Sequence, residues 1–139
     1  MLNVTGIIKK PYLKINLIFS VIILLIFAYS LSFSAQKENY PLPSFYSKIS
    51  GKKSISSGLS KSFSELIRGN LKRAKEHNKY GPGIFVFFLV QFFLRIIFSY
   101  LYSSDFIIRN YIILSDSVIS VILFIVCFWP FIINLALSV

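Results

Sequence analysis

Four serines, Ser54, Ser56, Ser57 and Ser60, surround Gly58 in a polar stretch that runs from Gly51 to Gly81. A serine becomes a nucleophile only with a base and an orienting group beside it. His77 is the single histidine, and Glu65 and Glu76 are the acids at hand. The Gly-x-Ser-x-Gly elbow and the strand that leads into it are missing. Gly58-Leu59-Ser60-Lys61 looks like a phosphate loop only superficially, because the long glycine spacing of that loop is absent. His77 therefore reads as a solvated or interfacial side chain. Cys127 is the single cysteine. Alone it makes neither an internal disulfide nor a cysteine-based metal site, and it reads as a small core side chain. The expectation is a chain that is not an enzyme, with no catalytic, cofactor-binding or metal site.

Arg95 and Asp116 are a different case, because each lies inside an apolar block. Ionisable groups are rare in such blocks and are usually paired. The polar turn between the two blocks centres between Phe106 and Ile107. Arg95 stands 11.5 residues before that centre and Asp116 9.5 after it. At about 1.5 Å rise per residue their depths differ by roughly 3 Å, within reach of a long arginine. An intramembrane ion pair locking two helices is expected. The competing reading is a proton or ion path, but beyond Gln91 and Asn134 no further polar ladder accompanies the two charges.

The blocks that carry these residues set the fold class. Of 139 residues, 55% are hydrophobic and 14% charged, with mean hydropathy +0.71. Soluble domains carry about 25% charged residues, so lipid is the expected solvent. The expected fold is an all-α integral membrane protein, a single membrane domain over 1–139. Its three transmembrane helices are 15–35, 84–102 and 111–137, with short interfacial helices in the first loop. The first block, Ile15 to Ala35, runs 21 residues without a charge, about the length that spans the hydrocarbon. It exceeds a signal-peptide core, and Phe33 is a poor residue three before a cut; a retained helix is expected. Pro130 is expected to kink the last helix, and Trp129 to mark the interface near its end.

Pro41 and Pro43 forbid a regular helix after the first span, and Tyr40, Phe45 and Tyr46 suit the lipid–water boundary. From Ser57 a helix can start, with Leu59, Phe63, Leu66 and Ile67 on one face. Ser60, Lys61, Ser64, Glu65 and Arg68 are expected largely elsewhere. Gly69-Asn70 breaks the pattern, and Asn70 is expected to cap a second helix over 71–78 with Lys72, Arg73, Lys75 and Lys79 exposed. Gly81-Pro82-Gly83 reads as punctuation before the second span.

The frame from Gly51 to Arg95 resembles a bacterial membrane family, domain of unknown function 2752. Its signature is a glycine, then Cys-Pro-x-Cys-Gly-Leu-Thr-Arg, an apolar helix, Arg-Gly-Asp, an alanine, an asparagine and a glycine. Gly51, Gly58, Leu59, Phe63, Arg68, Gly69, Asn70, Ala74, Asn78 and Gly81 stand at the matching places. The family's two cysteines fall at Ser54 and Ser57, its proline at Ile55 and its Thr-Arg at Ser60-Lys61. A Cys-x-x-Cys pair can bind zinc or cycle as a dithiol, and serines do neither, so no such role carries over. The resemblance implies about three membrane helices and a fold-determining loop, and it brings no activity.

The net charge of +10 is uneven: ten Lys/Arg lie between Lys37 and Lys79. A basic loop beside a membrane points to anionic lipid headgroups and the cytoplasmic side. Nucleic acid is not expected, because no binding module is recognisable. Lys9, Lys10 and Lys14 pull the other way, but the larger count puts the long loop and the C-terminus in the bacterial cytoplasm. Two function classes follow: a structural or accessory subunit with a protein partner in the membrane, or an oligomeric transport or channel element using Arg95 and Asp116.

Overall fold

The computed structural model describes residues 10–33, 57–104 and 109–137. The expectations for Gly51, Ser54 and Ser56, for the Pro41–Pro43 segment with its aromatic residues, and for the turn around Asp105 lie outside these residues. Among the described residues there are five helices and no strand. They are α1 (Pro11–Ser32), α2 (Leu59–Ile67), α3 (Leu71–His77), α4 (Gly81–Ser104) and α5 (Arg109–Leu137). The protein is an all-α membrane protein: α1, α4 and α5 are long and apolar enough to cross a membrane, with mean hydropathies of 2.3, 2.2 and 2.6. Their outer faces hold large exposed apolar side chains such as Leu25, Phe93, Ile122 and Val126. That surface is compatible with lipid and not with water.

α1 starts at Pro11 and not at Ile15, because proline suits the first helical position, where its missing N–H has no intrahelical partner. Lys14 sits inside the first turns with its side chain exposed, free to extend its amine toward the interface. The helix ends at Ser32, three residues short of the expected Ala35. Leu13, Asn16, Ile23 and Ser30 are its buried positions, a single stripe at helical spacing.

α4 is the central element, packing against both α1 and α5. Ring contacts at both ends show that α1 and α4 are antiparallel: Tyr12 meets Tyr102 at 4.7 Å, and Phe27 meets Phe85 at 5.3 Å. Phe87 joins α4 to α5 through Phe128 at 5.2 Å and Phe124 at 5.9 Å. The N-terminus of α1 and the α4–α5 connection therefore share one end of the bundle. Residues 57–80 and the C-terminus of α5 share the other. Pro130 lies within α5, which continues to Leu137.

Gly81-Pro82-Gly83 forms the first turn of α4 and does not stand outside it. Pro82 is tolerated there because first-turn N–H groups lack intrahelical acceptors. A Cβ at Gly81 would collide with the Ser62 side chain of α2, and one at Gly83 would lie 3.2 Å from the Cys127 carbonyl oxygen of α5. These glycines let α2 and α5 close on the start of α4.

Candidate functional site

Two polar constructions stand out, one inside the bundle and one at its loop end. The inner one is centred on Arg95, in the middle of α4. Its guanidinium forms a forked pair with Asp116 of α5: Nη2 donates to Oδ1 at 2.5 Å and Nη1 to Oδ2 at 2.9 Å. The two side chains are 11% and 3% exposed. Charge-assisted forks of this kind are among the stronger and more directional hydrogen bonds.

The pair is not limited to two helices. Arg95 Nη1 also donates to Asn16 Oδ1 of α1 at 2.9 Å, and Nη2 to Gln91 Oε1 at 3.0 Å and Ser120 Oγ at 2.5 Å. Tyr12 of α1 donates to Asp116 Oδ2 at 2.6 Å, and Ser120 to Oδ1 at 3.3 Å. The charges therefore have polar company from all three long helices, contrary to the expectation that only Gln91 and Asn134 would be polar. Asn134 belongs to the far end of α5 and takes no part.

The centre also fixes the orientation of its amides. A guanidinium offers only donors, so Asn16 and Gln91 turn their oxygens to it and their nitrogens away. Asn16 Nδ2 and Gln91 Nε2 are buried and have no acceptor among the described residues. Sequence reasoning missed Tyr12, Asn16 and Ser120. The available signal was the four-residue spacing of Tyr12, Asn16 and Ser20 along one helical face.

The second construction is the loop motif. Gly58 has φ +79°, and a Cβ there would run into the carbonyl oxygen of His77. Leu59 opens α2 and is half-buried, while Phe63 is buried with its ring 5.3 Å from Phe85 and 6.0 Å from Phe88. Ala74 is wholly enclosed. Asn78 donates to the Ser57 carbonyl at 3.0 Å and accepts from the Tyr80 N–H at 2.9 Å, tying the start of α2 to the end of α3. Gly69 has φ +81° and turns the chain from α2 into α3.

Two expectations for this motif are corrected. Ser62, Ser64 and Glu65 are buried along with Phe63, because α2 is wedged between α1, α3 and α4 and has more than one covered face. Asn70 precedes α3 but does not cap it with its side chain; its amide donates to Glu65 Oε2 at 2.9 Å and its backbone N–H to the Glu65 carbonyl at 2.9 Å.

Arg68 has a role the sequence did not disclose. Its guanidinium reaches the Leu31 carbonyl at 3.0 Å and the Ser30 carbonyl at 3.4 Å, and bonds Ser64 through both the carbonyl, at 2.7 Å, and the hydroxyl. Ser64 in turn donates to the Phe33 carbonyl at 2.7 Å. The last carbonyls of a helix lack intrahelical donors and carry partial negative charge. α1 has no basic residue in its own last turn, and Arg68, the residue that closes α2, supplies the cation.

Ser57 and His77 line one small polar pocket, with Asn78, Lys79, Tyr80 and Asn134. Glu65 is engaged with Asn70 instead, and no group of three His, Cys, Asp or Glu suited to a metal exists among the described residues. Comparison with protein-family models, with curated proteins and with solved structures finds no match for the chain.

Proposed function

We propose that the chain is a small structural or accessory subunit of a bacterial membrane complex, seated in the cytoplasmic membrane and docking through its helix faces and basic loop. The observation that carries this reading is the occupation of Arg95. Its terminal nitrogens meet four side chains of the same molecule, and Asp116 accepts from three. A charge so enclosed favours a knot between helices over a site that exchanges ions. The broad apolar faces of α1 and α5 leave room for both lipid and a neighbouring helix. Anionic headgroups are the proposed partners of the basic loop, and the spacing shared with the bacterial family is part of the same proposal.

The second reading, an oligomeric transport element, draws on the two amide nitrogens of Asn16 and Gln91. Buried donors without acceptors are costly in hydrocarbon, and a polar solute or water admitted beside Arg95 would satisfy them. Purification in mild detergent separates the readings. Co-purification of a different membrane protein in fixed ratio is the expected result. A homo-oligomer with a continuous polar lumen through Arg95 would replace the first reading with the second. The proposed orientation, loop and C-terminus cytoplasmic, predicts that Ser56→Cys in a Cys127→Ala background is shielded from an impermeant thiol reagent in intact cells. Ready labelling would reverse it.

A further inference from the structure

We infer that the polar pocket at the loop end of the bundle is a binding site for the phosphodiester of an anionic lipid headgroup. The inference rests on the reading that the basic loop meets anionic lipid, and it assigns that contact to one place. The pocket is an open depression of about 240 Å³ lined by Ser57, His77, Asn78, Lys79, Tyr80 and Asn134. None of the six is a carboxylate. Lys79 supplies a cation at its rim, with Nζ 4.8 Å from the centre of the Tyr80 ring. Asn134, exposed on α5, brings an amide donor to the same pocket, and a phosphate oxygen is an acceptor of the right kind.

Position agrees with chemistry. α5 has 29 residues, about 43 Å at 1.5 Å per residue, against a hydrocarbon core of about 30 Å. Unless it is strongly tilted, a helix of that length carries its ends into the headgroup layers. Asn134 lies in its last turn, and the Tyr80 ring packs edge-on against Phe131 of α5 at 5.6 Å. The pocket is thus set beside the end of a span, at headgroup level. Lys72, Arg73 and Lys75 are exposed on the adjoining α3, with Glu76 the one acid of that helix. These cations raise the local concentration of anionic lipid, and the pocket provides the directed contacts that surface charge lacks.

The test is native mass spectrometry of the full chain released from micelles with phosphatidylglycerol or phosphatidylcholine. Phosphatidylglycerol should be retained in preference. Lys72→Gln should lower its retention by about fivefold, the worth of one surface lysine. Lys79→Gln should lower it further than that, and Asn134→Leu should lower it measurably without a change of charge. Equal losses for Lys72→Gln and Lys79→Gln with a silent Asn134→Leu would overturn the pocket and leave general headgroup attraction standing. No preference for the anionic lipid would overturn both. Displacement of the lipid by millimolar inorganic phosphate would reassign the pocket to a free anion.

Discussion

Tyr12 donates its hydroxyl hydrogen to Asp116 at 2.6 Å, joining residues 104 positions apart in the chain. With the bond from Arg95 to Asn16, it draws α1 into a charge pair that otherwise belongs to α4 and α5. Interhelical hydrogen bonds in membranes average only about 0.6 kcal/mol, so the two α1 contacts are expected to differ. Tyr12→Phe removes one of several donors to a carboxylate and should cost about 0.6 kcal/mol. Asn16→Leu removes an acceptor from a buried guanidinium and should cost about 1–2 kcal/mol. Unfolding in mixed micelles measures both; a larger loss for Tyr12→Phe would mean that the hydroxyl, not the amide, anchors α1.

The glycines of the loop predict an order of damage. Gly58 combines positive φ with the His77 carbonyl in its path, whereas Gly69 has positive φ and open space. Gly69→Ala should cost about 1–2 kcal/mol for left-handed backbone alone. Gly58→Ala should cost more, because the α3 end must also move. Equal losses in a thermal unfolding series would remove the clash from the account.

How much of this was legible follows from particular residues. Arg95 and Asp116 are separated by a short turn, so helical rise alone put them at one depth. Tyr12 and Asn16 are not tied to them by any local rule. The charge of Lys14 put the expected start of the first span at Ile15, which hid the fact that Pro11 starts the helix and sets Tyr12 toward Asp116. In lipid the outer face of a helix is as apolar as its core, so periodicity marks the packed side only where polar residues fall on it. In α2 the hydrophobic face was readable, but the burial of Ser64 and Glu65 was not. It depends on the carbonyls of α1 and the amide of Asn70, which lie on other elements.

Arg68 offers a local test of the loop as a clamp. Its guanidinium and the Ser64 hydroxyl together cover the carbonyls of Ser30, Leu31 and Phe33. A cation at a helix C-terminus is worth about 0.3–1 kcal/mol. Arg68→Ala should therefore speed amide exchange over the last turn of α1 by roughly two- to fivefold, and Arg68→Lys should recover part of the protection. Unchanged exchange in both variants would show that Arg68 is bystander to α1.

Arg95 and Asp116 lock α4 to α5 as a coupled pair, and a double-mutant cycle measures that coupling. An unpaired charge within the span costs roughly 2.5–3.5 kcal/mol on insertion scales, and breaking a buried pair from one side costs about 3–5 kcal/mol. Arg95→Leu and Asp116→Leu should each lower folded yield and unfolding free energy steeply. The double change to Leu should lose clearly less than the sum of the two, with some loss remaining because Asn16, Gln91 and Ser120 also lean on Arg95. A double mutant as poor as the two single losses added together would contradict the account, because uncoupled charges cannot be what locks α4 to α5.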